Sequence, residues 1–225
     1  MERGTHMDLN TLLNIFFPPR CIFCGAVMAQ GTVCADCAKH LPYVKDDNIL
    51  RTVGKYTCAV TFYYDGTVRS GIRAMKFRAR RCRARQFAPY LAQTVAEHLG
   101  GEFDAVTFVP IHPIRRLRRG FDQSKLIAGA AAEIWEVKLF TTLRKIRNNP
   151  PQSSVKDPEE RRRNVQGVYA AVNTADIAGR RFLLIDDVVT SGHTLMACAD
   201  VLLAAGAQSV VCAALAGGRE GKKRH

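Results

Sequence analysis

Short apolar runs and helically spaced apolar residues alternate over the last two-thirds of the chain. The apolar runs predict strands at residues 56–64, 105–109, 137–143, 169–172, 181–185 and 209–215. Apolar residues three or four positions apart predict helices at 87–98, 125–135 and about 194–205. Such alternation is typical of an open, mainly parallel α/β sheet with right-handed crossovers, in which ligands bind at the carboxyl ends of the strands.

The segments between these elements give the predicted domain boundaries. A short amphipathic helix at 8–17 is stopped by Pro18 and Pro19, and a cysteine-rich segment follows it. Residues 110–121 and the polar, basic residues 144–163 are predicted loops, and long loops inside compact domains are often functional. We therefore expect an N-terminal module at 8–45, an α/β domain at 50–216 and a flexible basic tail at 217–225.

Composition narrows the location and the partners. The chain has 225 residues, enough for one sizeable domain with a small appendage, and residues 1–6 resemble a vector-derived leader. No uncharged apolar run is long enough to cross a bilayer and no secretory signal opens the chain, so a cytoplasmic location is expected. The formal net charge of +13 favours a polyanionic partner: phosphorylated metabolites, nucleic acid or an anionic membrane surface.

Four of the eight cysteines have the spacing of a metal site, C-x2-C-x9-C-x2-C. They are Cys21, Cys24, Cys34 and Cys37. Each pair can hold one ion with two thiolates, and four thiolates leave no open coordination position, so we expect a structural Zn²⁺ site. Two redox-active pairs are the alternative. Such a module could fasten the N-terminus to the main domain or contact nucleic acid, and the spacing does not decide between them. The other four cysteines have no ligand spacing, and the three of them that lie in predicted strands or a helix are expected to be buried thiols.

The stretch FLLIDDVVTSGHTL at residues 182–195 places two carboxylates directly after a buried strand. The hydroxyls and backbone N–H groups that follow, at the start of a predicted helix, form a site for a phosphate dianion. Asp186 and Asp187 cannot bind that phosphate, but they can accept hydrogen bonds from neighbouring sugar hydroxyls. A phosphate at the loop and a diol at the acids together describe a ribose 5-phosphate.

Residues 182–194 resemble the phosphoribosyl pyrophosphate (PRPP) fingerprint of type I phosphoribosyltransferases. The resemblance implies a sheet of that kind, Mg²⁺ bound with PRPP, and a catalytic role for Asp186 and Asp187, which would hold the ribose hydroxyls. The implied phosphoribosyl-binding residues are Asp186, Asp187, Val188, Thr190, Ser191, Gly192, His193 and Thr194. A plain strand-to-helix turn with a threonine N-cap and two solvated acids is the alternative.

Three further stretches accompany the fingerprint: IRAMKFR at 72–78, VPIHPIRRLRRGFDQSKLIA at 109–128 and RNNPPQSSVKDPEERRRNVQGVY at 147–169. With the cysteine segment, they resemble the competence protein F (ComF) family over nearly all of residues 9–215. Family members combine an N-terminal zinc finger with a phosphoribosyltransferase-like domain and are linked to uptake of single-stranded DNA in natural transformation. This chain has Ala79, Asp122 and Asn149 where Gly, Asn and Thr are common.

That resemblance implies several partners and a location. The partners are single-stranded DNA, PRPP or a related phosphoribosyl metabolite, and channel or helicase proteins of DNA uptake. The implied location is cytoplasmic, with a peripheral position at the inner membrane.

Clusters of basic residues are the candidates for binding pyrophosphate or nucleic acid. In phosphoribosyltransferases the loop after the first strand holds pyrophosphate and a mobile loop closes over the reaction, which by position implicates 111–119 and 144–163. The candidate contacts are Lys76, Arg78, His112, Arg115, Arg119, Gln123, Arg147, Gln152 and Arg163. The cations in excess of a pyrophosphate's needs suit a longer polyanion, and a solvated surface is the alternative. Phe77, Phe87 and Phe121 could stack on bases, although core packing is favoured for each.

Two functions follow from these features. The first is a DNA-uptake protein that binds single-stranded DNA and retains a PRPP pocket as a sensor of a metabolite or a nucleic-acid end. The second is an active phosphoribosyltransferase that transfers ribose 5-phosphate from PRPP to an unidentified base with release of pyrophosphate. A regulatory module with an unproductive pocket is a third reading, and the sequence does not choose among them.

Overall fold

A computed structural model describes residues 18–75, 82–149 and 167–219. The strands are β1 Leu50–Val53, β2 Tyr56–Tyr63, β3 Ala105–Phe108, β4 Lys138–Leu139, β5 Leu143–Lys145, β6 Tyr169–Ala171, β7 Arg181–Val189 and β8 Ser209–Gly217. The helices are α1 Ala35–Lys39, α2 Gly66–Met75, α3 Cys82–Leu99, α4 Pro113–Arg119, α5 Gln123–Ile134 and α6 His193–Ala204. The predicted helix at 8–17 lies outside the described residues.

The main sheet has six strands in the order β1-β2-β8-β7-β3-β4. Along this order, each strand from β2 through β8, β7 and β3 to β4 is parallel to its neighbour. Strand β1, at the edge of the sheet, is antiparallel to β2. Strands β5 and β6 form a separate antiparallel pair. The open, mainly parallel α/β fold predicted from the alternation of elements is confirmed. Because the parallel strands point the same way, their carboxyl ends meet at one edge, where ligands bind in this class of fold.

The sheet is covered on both faces. On one face, α2, α3 and α5 pack against alternate residues of the central strands, such as Leu183 and Ile185. On the other face, α6 and the β5–β6 pair cover Phe182 and Leu184. Buried thiols fill part of this second core, as expected for cysteines without ligand spacing: Cys58, Cys198 and Cys212. No helix in the described ranges is both long and apolar enough to cross a membrane.

The cysteine module is joined to the α/β domain through its own hydrophobic residues. The ring of Phe23 makes edge contacts with Phe87 at 5.3 Å and with Phe62 at 5.7 Å between centroids. Gly71 on α2 allows the close approach, because a Cβ atom there would lie 2.6 Å from the carbonyl oxygen of Ile22. The module is therefore part of the main core, and Phe87 packs there as favoured from the sequence.

Three sequence predictions need correction. Residues 110–121 are not a loop throughout, since they contain helix α4, which begins after the N-cap His112 and ends at Gly120 with φ +83°. None of its residues is buried, so no apolar periodicity marked it. The predicted strand at 137–143 is two short strands, β4 and β5, and β5 takes the first residues of the predicted loop at 144–163. Strand β7 continues to Val189, beyond both acids, and β8 extends to Gly217.

Candidate functional site

The four cysteines of the C-x2-C-x9-C-x2-C pattern converge on one point. Their sulfur atoms all lie within 4.8 Å of one another, and the Sγ atoms of Cys24 and Cys34 are 3.7 Å apart. Tetrahedral zinc with Zn–S bonds of about 2.3 Å requires sulfurs roughly 3.8 Å apart, so this donor set fits a Zn²⁺ ion. The site is structural in kind because four thiolates fill the coordination sphere.

The loops around this cluster prepare the sulfurs for a cation. Backbone N–H groups of Ala26 and Cys37 each donate to a sulfur at 3.4 Å, to Cys24 and to Cys34 respectively. Burial raises the pKa of the Cys21 thiol, but hydrogen bonds from backbone groups outweigh burial and bring this pKa down to about 6. A thiol that ionises near neutral pH is ready to bind metal.

Asp186 and Asp187 lie at the carboxyl edge of the sheet, near the end of β7. They are still within the ladder, since Asp186 pairs with Ala214 and Val189 with Gly217. The chain then turns through the left-handed residue Gly192, φ +74°, which is the N-cap of α6. A Cβ atom at this position would lie 2.3 Å from Cγ1 of Val53, so only glycine fits there without a shift.

A small cavity forms inside this turn, at the N-terminus of α6. It is lined by Asp186 and by the hydroxyl-rich loop residues, with Ser191 Oγ 2.9 Å from Nδ1 of His193. Of the residues implicated from the sequence, those that line it are Asp186, Val188, Thr190, Ser191, Gly192, His193 and Thr194. Asp187 does not line this cavity. Hydroxyls and helix N–H groups on one side and a carboxyl on the other match the two ends of a ribose 5-phosphate.

The carboxyl of Asp186 is held by two hydrogen bonds to its Oδ1 atom. The hydroxyl of Ser124 donates at 3.1 Å and the backbone N–H of Asp187 donates at 2.8 Å. Burial raises the pKa of Asp186 well above its usual value, and the adjacent charge of Asp187 raises it further. The oxygens of this carboxyl group can accept hydrogen bonds from a sugar hydroxyl.

Helix α4 contains two of the basic residues that the sequence predicted as ligand contacts, Arg115 and Arg119. Burial lowers the pKa of Arg119, while the charge of Asp187 opposes that shift, so the two side chains are within electrostatic reach. The Arg119 guanidinium also donates to Gln123 Oε1 at 3.1 Å, and Arg115 donates to the carbonyl of Asn149. His112 uses Nδ1 to cap α4.

The remaining predicted contacts are only partly described. Arg147 lies 3.8 Å from the position of a Cβ atom on Gly167, where the two arms of the 144–169 segment come together. Four candidates lie outside the described residues: Lys76, Arg78, Gln152 and Arg163. Phe77 lies outside as well, and Phe121 is buried.

The chain resembles known proteins in both parts. Residues 121–225 match the phosphoribosyl transferase domain family and residues 12–51 match the double zinc ribbon domain family. Competence protein F of Haemophilus influenzae is 26% identical over 109 residues, which are 48% of this chain and 47% of that protein. DNA utilization protein YhgH of Escherichia coli O157:H7 is 31% identical over 111 residues, 48% of this chain and 46% of that protein.

In both of its parts the chain is similar to the competence protein F family. It spans about half the length of the curated relatives it matches. Among solved structures, the glutamine PRPP amidotransferase from B. subtilis is similar to 58% of this chain, with 25% identity, a TM-score of 0.40 and 26% of that chain covered. The family match of residues 121–225 and the mostly parallel sheet show an α/β domain that resembles the type I phosphoribosyltransferase fold, and the N-terminal cysteine cluster matches the double zinc ribbon domain family.

One cation near the two acids was not among the site residues predicted from the sequence. Lys145, on β5, is buried with its Nζ 5.4 Å from the ring centroid of Tyr169. Burial and, to a smaller extent, the charge of Arg115 lower the pKa of Lys145 to about 8, against the opposing effects of Cys198 and Asp186. In strand β5 the side chains alternate between buried and exposed, so Lys145 is buried and its neighbour Arg144 is exposed. This alternation could not identify Lys145 from the sequence, because residues 144–163 were predicted to be a loop.

Two further residues of the 109–128 stretch, Asp122 and Ser124, position the site. Asp122 is buried and accepts hydrogen bonds from the backbone N–H of Ile111 at 2.8 Å and of Lys125 at 3.3 Å. Burial raises the pKa of Asp122, and the charge of Asp187 raises it further. The carboxyl joins the residues after β3 to the start of α5, and it thereby fixes Ser124 against Asp186.

Proposed function

We propose that this protein acts in DNA uptake or utilization, binds single-stranded DNA in the cytoplasm and retains a pocket for PRPP or a related phosphoribosyl metabolite. The names of its relatives, a competence protein and DNA utilization proteins, support the DNA-related role. Contacts with channel or helicase proteins and a peripheral position at the inner membrane belong to the same proposal. One observation supports the proposed pocket: the hydroxyl-rich loop 190–194 and Asp186 line the same cavity at one edge of the sheet.

The two acids, Asp186 and Asp187, indicate which kind of sugar the pocket accepts. A carboxylate accepts hydrogen bonds from hydroxyls but repels a phosphodiester. An internal nucleotide of DNA has a phosphodiester on its 3′ oxygen and no 2′ hydroxyl, so it offers Asp186 and Asp187 no diol. The pocket therefore favours a free ribose 5-phosphate group, and a DNA strand would bind on another surface.

Helix α4 is the described surface best suited to a DNA strand. Its exposed face carries Arg116 and Arg118, while Arg115 and Arg119 reach toward the site. Each phosphate neutralised by such a cation releases counterions, so the affinity should fall steeply with salt. The α4 surface lies next to the pocket, which would let a bound metabolite and a bound strand influence each other.

An active phosphoribosyltransferase is the alternative. In that reading the acids hold the ribose, the loop holds the 5-phosphate, and Arg115, Arg119 and Lys145 neutralise the departing pyrophosphate. The Mg²⁺ that accompanies PRPP would supply further charge neutralisation to the leaving group. The acceptor base stays unidentified.

Two assays test the proposal. The first measures pyrophosphate release from PRPP with Mg²⁺, with and without single-stranded DNA or common bases, for the wild type, Asp187→Ala and the control Asp104→Asn. Release that needs a base and is lost only in Asp187→Ala would favour the enzyme. No release together with binding of PRPP would favour the sensor.

The second assay measures binding of a single-stranded oligonucleotide between about 50 and 200 mM salt. We expect the double variant Arg116→Gln, Arg118→Gln to lower the slope of log K against log salt by about 1.4, or about 0.7 per lost phosphate contact. The double variant Arg180→Gln, Arg181→Gln, which also removes two arginines but at the opposite edge of the sheet, serves as the charge-matched control. Negligible affinity of the wild type at low salt would contradict the DNA-binding role.

A further inference from the structure

A second cavity lies on the outer side of the phosphoribosyl loop, between that loop, β1 and the end of β8. It has a volume of about 320 Å³, and the residues that line it include two arginines, Arg51 and Arg219, and three residues with hydroxyl groups, Thr52, Thr190 and Ser191. We propose that this cavity binds a phosphate monoester or inorganic phosphate, as a site separate from the one that holds the 5-phosphate of ribose.

Arg51 carries the argument because it is a buried cation that forms no ion pair with any carboxylate of the described residues. The side chain is only 8% exposed. It donates from Nη1 to the carbonyl of Gly218 at 2.7 Å and from Nε to the carbonyl of Asn48 at 3.3 Å. Its Nη2 is buried with no hydrogen-bond partner among the described residues, and no salt bridge to Arg51 occurs within them.

A buried guanidinium without a counter-ion destabilises the fold unless a ligand supplies the missing charge and hydrogen bonds. Backbone carbonyls satisfy individual N–H groups, but they do not neutralise the charge, and an unpaired buried charge is strongly disfavoured. The cavity is the space from which an anion can approach Arg51. The planar fork of an arginine binds phosphate oxygens in pairs, and the charge of Arg51 attracts an anion in the cavity that this residue lines.

Arg219 supplies the second cation that lines this cavity. Its Nε and Nη2 donate to Asp65 Oδ2 at 3.0 and 2.7 Å, and its guanidinium lies 4.6 Å from the ring centroid of Tyr63. These contacts fix its position and leave Nη1 as a further donor. Two guanidinium groups together with hydroxyl donors match the several oxygens of a phosphate group.

The two sites share part of the loop but differ in the side chains that would bind the ligand. Thr190, Ser191 and Gly192 border both cavities, whereas Thr194 lines only the inner one and Arg51 only the outer one. This division allows each site to be removed separately. The outer site does not depend on which molecule the inner cavity binds.

The test is calorimetric titration of the full chain with inorganic phosphate, and separately with ribose 5-phosphate, in a phosphate-free buffer at low salt. We expect Arg51→Gln and Arg219→Gln each to weaken phosphate binding at the outer site at least about tenfold. Arg51→Lys should retain part of it, and Thr194→Val should weaken ribose 5-phosphate while leaving the outer site intact. Arg219 is exposed, so its variant reports on the site even if Arg51→Gln does not fold.

A single phosphate site that is lost in Thr194→Val and unchanged in Arg219→Gln would overturn the proposal, because phosphate would then bind only in the inner cavity. No phosphate binding to the wild type at millimolar concentration would overturn it as well. Both results leave the proposed function untouched, since that rests on ribose 5-phosphate or PRPP binding and on DNA affinity.

Discussion

The hydroxyl of Ser124 at the start of α5 donates a hydrogen bond to the carboxyl of Asp186 at the end of β7, over 3.1 Å. This bond connects the segment after β3 to the acid of the site, and it favours the ionised form of Asp186. Ser124→Ala should therefore weaken ribose 5-phosphate binding about tenfold, the usual size for a hydrogen bond to a charged group. Calorimetry measures it, with Ser70→Ala on α2 as the matched control; equal effects in both variants would contradict this role.

The contact between Gly71 and Ile22 predicts how the zinc module is attached. A Cβ atom at Gly71 would meet the Ile22 carbonyl oxygen at 2.6 Å, whereas at Gly129, also within a helix, the nearest atom is a leucine methyl at 3.5 Å. We expect Gly71→Ala to lower the free energy of unfolding by about 1–3 kcal/mol and to expose the module to proteolysis.

Gly129→Ala is the control for that prediction. It should be neutral or stabilising by up to about 1 kcal/mol, because alanine has the higher helix propensity. Urea unfolding and limited proteolysis measure both variants. Similar stability of the two variants would show that the module is not held through this contact.

The four-sulfur cluster predicts one zinc ion per chain, measurable by elemental analysis of the purified protein. Cys24→Ser should lose most of the metal, because it removes a thiolate from the cluster, and its unfolding should become broader as the module loosens. Cys212→Ala, which removes a buried thiol from the sheet, should keep the full zinc content. Unchanged zinc in Cys24→Ser would contradict the proposed ligand set.

Lys145 predicts a pH dependence with opposite signs for binding and for stability. Its pKa is lowered to about 8, so its ammonium loses its proton above that pH and an anionic ligand should bind more weakly. For folding, the unfolded state binds more protons than the native state from about pH 8 up to the ordinary lysine value, so this group's contribution to stability rises across that range.

Titration of ribose 5-phosphate from about pH 7 to pH 9.5 measures the effect on binding. The arginine of Lys145→Arg keeps its charge throughout this range, so the affinity of this variant for ribose 5-phosphate should not decrease above pH 8. Arg144, exposed on the same strand, gives the matched control variant Arg144→Gln. A wild type whose affinity is constant across the range would contradict a role for Lys145 in binding.

Sequence patterns predicted the α/β fold, the sulfur cluster and the loop at α6 because each depends on local signals: apolar runs, cysteine spacing and a strand followed by hydroxyls. They did not predict α4 or β1. Helix α4 buries no residue, and β1 is only four residues long with alternating burial, so neither has a distinct apolar period.

The importance of Arg51 was equally hidden in the sequence. A single arginine in a short strand is ordinarily solvent-exposed. Its burial results from packing between β1, the end of β8 and the loop before α6, which come together only in three dimensions. The same is true of Lys145, whose surroundings combine residues from β7, α4 and α6.

Helix α4 brings cations to the site without any side chain in the hydrophobic core. Its place is maintained by its ends, through the His112 cap and the left-handed Gly120, and by the hydrogen bond from Arg115 to Asn149. The free energy needed to open such a helix locally is therefore much smaller than the free energy of global unfolding. Amide hydrogens of α4 should exchange with solvent faster than those of α3 or α5, and an anion bound between Arg115 and Arg119 would slow that exchange, so that this helix acts as the compliant part of an otherwise rigid site.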